Sequence, residues 1–219
     1  MTEPYYQDDL VTIYHGNCSE IDEWLAADVM ITDPPYGMGF VSSWTTQTRP
    51  IQGDGDTSVR NQALERWGNR YAAVFGTWKT PRPDGITNLL VWDKTDGVGA
   101  GMGDLDSCFG FSHEEIYIFG RWPKSTGRLG SVLRTSVSTA GLAFRIGHPT
   151  PKPPEIMGKL IRCAPPGIIT DPFMGSGSTL VAAKSIGRRA IGVEIEEKYC
   201  EIAAKRCGQD YLFGAEAQG

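Results

Sequence analysis

A succession of strand, glycine-rich turn, helix and strand near the carboxyl end constrains the fold most. The apolar run 167–170 leads into the turn 171–179, which contains Gly175 and Gly177, and residues 180–184 then have helical composition. A second apolar run, 189–195, contains Glu194. This order predicts a βαβ unit in a parallel sheet, in which the two glycines of the turn, having no Cβ, let the backbone approach a ligand.

The spacing of this unit narrows the class of ligand. Glu194 stands where a nucleotide-binding βαβ unit places the acid that binds ribose hydroxyls. The turn does not have the G-x-G-x-x-G spacing of dinucleotide sites, and Lys184 lies too far beyond the glycines for a P-loop. The alternative interpretation is a glycine turn that only lets the helix pack, together with a surface glutamate.

A second motif, Asp33-Pro34-Pro35-Tyr36, directly follows the apolar run 28–32. Its prolines fix φ and remove two backbone donors, so the chain leaves the strand in a rigid, extended turn. The turn brings together one carboxylate, one free carbonyl and one aromatic face, a combination suited to binding a flat base by its exocyclic amine. Taken alone, a proline after a strand is more often only a stop signal.

Together these blocks resemble the β group of DNA amino-methyltransferases, which methylate adenine N6 or cytosine N4 with S-adenosylmethionine. Five motifs occur in the order of that group, in which the catalytic block precedes the cofactor block. They are Asp33-Pro34-Pro35-Tyr36, the strand 113–118, His148-Pro149-Thr150-Pro151-Lys152-Pro153, Asp171 to Thr179, and Gly192-Val193-Glu194. The resemblance begins before them, near Gly16-Asn17-Cys18.

The resemblance implies a set of site residues. The catalytic residues would be Asp33, Pro34, Pro35 and Tyr36. The cofactor-binding residues would be Asn17, Cys18, Asp33, Lys152, Asp171, Pro172, Phe173, Gly175, Ser176, Gly177, Ser178, Thr179 and Glu194. Asn17 stands where the family often has Asp, but its amide oxygen can still accept a hydrogen bond from the cofactor's adenine amine. Lys152 is expected to contact a cofactor carboxylate or a DNA phosphate, with a solvated lysine as the alternative.

The resemblance also implies the fold. We expect a Rossmann-like α/β methyltransferase with a mostly parallel sheet, helices on both faces and an antiparallel hairpin at one end, formed by residues 115–119 and 131–134. The strands before Asp33 and Asp171 should be neighbours, so that their turns face each other. Apolar residues at helical spacing predict a helix over 64–78. Residues 37–59 are expected to form a loop over the site.

Composition limits the class of protein. A chain of 219 residues with 40% hydrophobic and 21% charged residues is typical of one globular domain, here with a short target-recognition insert at about 121–147. No apolar run reaches the length of a membrane span. Five cysteines without a C-x-x-C pair and three scattered histidines predict no metal site. We expect a cytoplasmic protein, bacterial or phage-encoded and associated with the nucleoid.

Charge is distributed unevenly along the chain. The net charge is −5, yet residues 121–162 carry eight basic side chains and one acid, a local balance of 8 − 1 = +7. This distribution predicts one basic face that contacts phosphates. The alternative is a solvated loop whose charges have no partner.

These observations favour a site-specific DNA adenine-N6 methyltransferase that acts on a flipped base of double-stranded DNA, because Asp at the first motif position goes mostly with adenine in this family. Cytosine-N4 methylation is the first alternative. A non-catalytic DNA-binding module and methylation of a protein amide or RNA are further alternatives, and the sequence leaves a homodimer open.

Overall fold

The computed structural model describes residues 2–38, 55–95, 108–124, 129–135, 146 and 151–209. Its strands are β1 (Tyr6–Gln7), β2 (Val11–His15), β3 (Val29–Thr32), β4 (Tyr71–Gly76), β5 (Asn88–Asp93), β6 (His113–Phe119), β7 (Val132–Arg134), β8 (Ile169–Asp171) and β9 (Ala190–Glu194). Its helices are α1 (Ser58–Trp67), α2 (Pro154–Cys163), α3 (Ser178–Ser185) and α4 (Glu197–Gly208), with a 3₁₀ turn at Glu23–Ala26.

The strands form one sheet in the order β1-β2-β9-β8-β3-β4-β6-β5-β7. Its centre is parallel: β2, β9, β8, β3 and β4 all run in one direction. β3 reads Val-Met-Ile-Thr and is buried along its whole length, as expected for a parallel strand covered on both faces. The predicted Rossmann-like α/β architecture is confirmed.

Helices cover both faces of the sheet. Along β3, Val29 and Ile31 pack in the hydrophobic cluster that contains α2, α3 and α4, whereas Met30 packs in the cluster of α1 and the 3₁₀ turn. Alternate side chains of a strand point to opposite faces, so the two clusters lie on opposite sides. On the second face Trp24 and Trp67 stack with ring centroids 5.8 Å apart.

Two local predictions are wrong. The helix expected over 64–78 is instead α1, which ends at Trp67, followed by β4, which begins at Tyr71. Gly68 separates them with a φ of +71°, a conformation that favours glycine over other residues. Residues 115–119 and 131–134 do not pair with each other: β6 pairs antiparallel with β4 and β5, and β7 pairs parallel to β5.

Parts of two predicted features lie outside the described residues. These parts are 39–54 of the loop expected over 37–59, and 125–128, 136–145 and 147 of the insert expected over 121–147. Among the described helices, none has both the length and the apolar character that a bilayer span requires.

Candidate active site

The turn that begins at Asp33 and the turn that begins at Asp171 are neighbours. They follow β3 and β8, which pair in parallel, so both leave the sheet at its carboxyl edge. This confirms the adjacency predicted from the sequence. Ligands of open α/β sheets bind at this edge, which makes the two turns the candidate site.

Asp171 connects the two turns. Its carboxylate accepts hydrogen bonds from the Thr32 hydroxyl at 2.6 Å, from the Thr179 hydroxyl at 2.6 Å and from the Phe173 N–H at 3.1 Å. Burial raises the pKa of Asp171 to about 6, although the hydroxyl and N–H donors stabilise its charge. Because Thr32 belongs to β3 and Thr179 to α3, this one carboxylate fixes the glycine turn against the strand that carries Asp33.

The glycine turn is shaped by backbone conformations that suit glycine. Gly177 precedes α3 with φ +79° and ψ 28°, in the left-handed region. A Cβ on this residue would lie 2.8 Å from the Cβ of Ala203 in α4, closer than normal packing allows. Gly175 has φ +50°, and its N–H donates to Glu194 Oε2 at 2.9 Å. The turn is therefore packed tightly between α4 and the end of β9.

Glu194 ends β9 beside this turn. Its second carboxylate oxygen, Oε1, accepts the N–H of Glu196 at 2.8 Å, so each oxygen holds one backbone donor and has a lone pair left to accept another. Burial raises the pKa of Glu194 to about 7; the two N–H donors lower it, and the charges of Glu196 and Asp171 raise it further. The residue thus lies next to the glycine turn, as the βαβ pattern predicts for a ribose-binding acid.

Asp33 lies in a network of four largely buried polar side chains. Lys152 Nζ is 2.5 Å from Asp33 Oδ2, and the Tyr36 hydroxyl is 2.8 Å from Asp33 Oδ1. The fourth member is Glu114, whose Oε2 lies 3.0 Å from the Tyr36 hydroxyl and 3.3 Å from Lys152 Nζ. The exposed fractions of the Lys152, Asp33 and Glu114 side chains are 6%, 19% and 18%.

Burial and neighbouring charges set the protonation of this network. Burial raises the pKa of Asp33; Lys152 opposes that effect and Glu114 adds to it. Burial also acts to raise the pKa of Glu114, but Lys152 and Lys94 outweigh it and the pKa is lowered. For Lys152, burial acts to lower the pKa, and the two carboxylates outweigh it and raise it. Lys152 is therefore a buried ammonium between two carboxylates rather than a solvated lysine.

Asn17 and Cys18 follow β2, and the structure brings them beside the end of β9. The N–H of Gly16 donates to the Glu194 carbonyl at 2.8 Å. The Asn17 side-chain oxygen accepts from the Ser19 N–H at 3.0 Å, and the Cys18 carbonyl accepts from the Trp24 indole at 2.9 Å. Asn17 thus uses one lone pair of its amide oxygen in a local turn and keeps the second.

Most of the predicted site residues are brought together. They follow the carboxyl ends of β2, β3, β8 and β9, and Lys152 reaches them from the segment that precedes α2. Glu114 was missed as a site residue. Its signal in the sequence is a pair of glutamates at the start of a strand, residues 113–119, whose second half is apolar.

The described basic side chains of residues 121–162 do not all lie at one edge of the sheet. β6 runs antiparallel to β4 and ends at Phe119, beside the amino end of β4. Arg121 and Lys124 follow that end, on the edge of the sheet opposite the two turns, whereas Lys152 is buried in ion pairs at the site. The prediction of a single basic face is therefore wrong for the described part of this segment.

An α/β sheet with a glycine turn, a strand-end acid and a second acidic turn at the adjacent strand defines the methyltransferase class of fold. The solved structure of the M1.HpyAVI–SAM complex matches with a TM-score of 0.62 at 21% identity and covers 91% of this chain and 100% of that one. The PvuII DNA methyltransferase, described as cytosine-N4-specific, matches with a TM-score of 0.63 at 16% identity, covering 96% of this chain and 90% of that one.

Sequence comparisons identify the family. The model of the N6/N4 methyltransferase family, described as DNA methylase, matches residues 121–205. The chain is 46% identical to the Type II methyltransferase M2.DpnII of Streptococcus pneumoniae, over 94% of this chain and 92% of that protein. It is 26% identical to the Type II methyltransferase M2.LlaDCHI of Lactococcus lactis subsp. cremoris, over 98% and 95%. The chain belongs to the N6/N4 DNA methylase family, which confirms the predicted family.

Proposed function

We propose that this protein transfers a methyl group from S-adenosylmethionine to N6 of an adenine extruded from double-stranded DNA, at a specific sequence. The observation that carries the proposal is the pairing of β3 with β8, which sets the Asp33 turn beside the glycine turn. One turn has the groups to bind an aromatic amine, and the other has the form of a nucleotide-binding turn.

The residues present fit the cofactor. Glu194 can accept hydrogen bonds from the ribose hydroxyls, and Asn17 from the adenine amine. Ser178 supplies a further observation: its buried hydroxyl, in the first turn of α3, has no hydrogen-bond partner among the described residues. A buried polar atom without a partner is costly, and a polar ligand group at the start of α3 would remove that cost. Phe173, partly buried beside them, offers an apolar surface. When bound, S-adenosylmethionine supplies an electrophilic methyl group.

The Asp33 turn would make the target amine nucleophilic. The lone pair of an aromatic amine is delocalised into its ring, so the free amine attacks slowly. Accepting one amine hydrogen at the Asp33 carboxylate and the other at the Pro34 carbonyl favours a tetrahedral nitrogen, whose lone pair is then available. Asp33 takes the proton once the nitrogen has become cationic, and the Tyr36 ring stacks on the base. Alignment and preorganised dipoles would supply most of the acceleration.

An exposed aromatic pair near the site suits DNA. Trp78 follows the carboxyl end of β4 and Phe111 precedes β6, so both lie at the edge of the sheet that carries Asp33. Their exposed fractions are 57% and 36%, their ring centroids are 6.4 Å apart, and Lys79 Nζ is 3.7 Å from the Phe111 centroid. Aromatic rings stack on unpaired bases and a lysine neutralises phosphate, and base extrusion costs a few kcal/mol that such contacts offset.

Labelled methyl transfer tests the reaction. Duplex DNA incubated with S-adenosylmethionine labelled in its methyl group should gain label with the wild-type protein and none with Asp33→Ala, which should still bind the cofactor. Asp84→Ala, at an exposed aspartate outside the site, is the matched control and should retain wild-type turnover. Turnover by Asp33→Ala would refute the role proposed for Asp33.

Identification of the modified nucleoside tests whether adenine or cytosine is methylated. Digestion of the product DNA should yield N6-methyladenosine in its deoxy form; N4-methylcytosine would reverse the preference for adenine, and no label would favour a binding module.

We also propose a single domain with a target-recognition insert at about 121–147. A homodimer is a further proposal, which sedimentation would test.

A further inference from the structure

Both oxygens of the Asp33 carboxylate are already engaged in the structure. The Tyr36 hydroxyl lies 2.8 Å from Oδ1 and Lys152 Nζ lies 2.5 Å from Oδ2. The proposed function requires this same carboxylate to accept a hydrogen from the target amine. Each oxygen keeps a second lone pair, but an ammonium bound to a carboxylate weakens it as an acceptor and as a base, so Asp33 becomes a stronger acceptor for the amine once the ammonium moves away.

The two donors on Asp33 share one alternative acceptor. Oε2 of Glu114 lies 3.0 Å from the Tyr36 hydroxyl and 3.3 Å from Lys152 Nζ. A phenol has a single hydrogen, so Tyr36 donates to Asp33 or to Glu114 but never to both at once. Lys152 likewise lies between the two carboxylates, closer to Asp33. A small movement of each donor toward Glu114 therefore releases Asp33.

We propose that Glu114 is a positioning residue for methyl transfer: it receives the Tyr36 hydroxyl and the Lys152 ammonium when the target amine binds, and thereby frees the Asp33 carboxylate. This inference rests on the proposed function and adds a residue to it. Tyr36 hydrogen-bonded to Glu114 also has its ring held in one orientation, which suits stacking on the base.

Contacts that do not involve Asp33 fix the position of Glu114. Its backbone pairs with Trp92 near the end of the β5–β6 ladder, and Lys94 Nζ lies 3.3 Å from its other oxygen, Oε1. Lys152 and, after it, Lys94 lower the pKa of Glu114, which favours its ionised form. The charged and titratable groups around Asp33 are Lys152, Tyr36, Glu114 and Asp171; those around Glu114 are Lys152, Lys94, Tyr36 and Asp33.

The proposal is tested by a substitution that removes the charge of Glu114 and keeps its size. In Glu114→Gln, Asp33 is the one carboxylate among the described residues that still pairs with Lys152. We therefore expect kcat to fall by about 10²-fold while KM for DNA and Kd for S-adenosylmethionine change by less than about threefold. The matched control is Glu115→Gln: Glu115 is the next residue of β6, buried, and paired with Arg82 and Tyr117 instead. Its kcat should stay within about threefold of wild type.

Two further measurements separate positioning from a structural role. Removing the like charge of Glu114 should move the acid limb of the kcat profile to lower pH, because Glu114 raises the pKa of Asp33. The double variant Glu114→Gln/Lys152→Met, compared at its own pH optimum, should be faster than Glu114→Gln because no ammonium then holds Asp33. Glu114→Asp, which keeps the charge, should have an intermediate kcat and replaces Glu114→Gln if that variant does not fold.

The outcomes are distinguishable. An unchanged kcat in Glu114→Gln, an equal loss in Glu115→Gln, or a double variant no faster than Glu114→Gln would each overturn the role of Glu114 while wild-type methylation stands. If the wild-type protein transfers no label to DNA, the proposed function fails and the inference fails with it.

Discussion

The ribose-binding role proposed for Glu194 predicts that cofactor binding depends on pH near neutrality. Burial raises the pKa of this carboxyl to about 7 in the free protein, and Glu196 and Asp171 add to the effect. Ribose hydroxyls donate hydrogen bonds, so they favour the ionised form that accepts them. Below a pH of about 7 Glu194 is mostly protonated and no longer offers two carboxylate oxygens to the ribose. The affinity for the cofactor should therefore fall as the pH falls through about 7.

The magnitude comes from the ionised fraction. With a pKa of about 7 in the free protein and a much lower one in the complex, Glu194 is about 90% ionised at pH 8 and about 10% at pH 6. The dissociation constant should therefore rise about tenfold between these pH values, which corresponds to about 1.4 kcal/mol of binding free energy.

Calorimetric titration with S-adenosylhomocysteine and with adenosine, at pH 6, 7 and 8, measures this dependence. Adenosine retains the ribose but has no amino-acid charges that could titrate. The control is Glu194→Gln, whose amide oxygen can still accept the Gly175 N–H but which has no proton to lose. Its affinity should be weaker and should depend much less on pH, although Asp171, whose pKa is about 6, still titrates near this turn. A flat wild-type profile, or a Gln variant with the same slope, would refute the assignment of Glu194 to the ribose.

Three further predictions concern other parts of the chain. Gly177→Ala should destabilise the protein by about 2–4 kcal/mol in urea unfolding, because the residue has φ +79° and its Cβ would lie 2.8 Å from that of Ala203; an unchanged midpoint would contradict this packing. Trp78→Ala should weaken DNA binding by about 1–3 kcal/mol in a fluorescence titration and leave cofactor affinity unchanged; equal DNA affinity would exclude Trp78 from the interface. Burial acts to raise the pKa of Asp8, but hydrogen bonds, the strongest from Lys184, lower the pKa to about 2. The ionised carboxylate therefore stabilises the folded protein above the ordinary pKa of an aspartate, and this stabilisation is lost as the pH falls toward 2. Asp8→Asn should therefore reduce the difference in stability between pH 7 and pH 3.

The sequence predicted the parts of the site that depend on local pattern. A strand followed at once by an acid, and a glycine turn followed by a helix, are local signals, and the carboxyl ends of parallel strands lie at one edge. The adjacency of the Asp33 and Asp171 turns followed from these rules. The helix predicted over 64–78 failed because the apolar spacing continued across Gly68, where the chain changes from helix to strand.

Glu114 could not be assigned from the sequence because its position depends on long-range pairing. β6 is inserted between β4 and β5 and runs antiparallel to both, which sets the start of β6 beside the end of β4. Nothing within residues 113–119 specifies that neighbour. Once the register is known, Gly76 pairs with Glu115, and the preceding glutamate reaches Tyr36.

Two aspartates that look equivalent in the sequence have different environments in the structure. Asp33 and Asp171 each end a buried run and each precede a proline. Asp171 accepts hydrogen bonds from two hydroxyls and one N–H, all of them neutral donors. Such donors suit a carboxylate that connects the glycine turn to β3. Asp33 faces an ammonium and a phenol that both have a second acceptor in Glu114, so its hydrogen bonds can be exchanged without leaving a buried donor unpaired. A carboxylate that has to accept a proton and release it again needs partners that can exchange their hydrogen bonds. For this reason we assign the chemistry to Asp33 and a structural role in the site to Asp171.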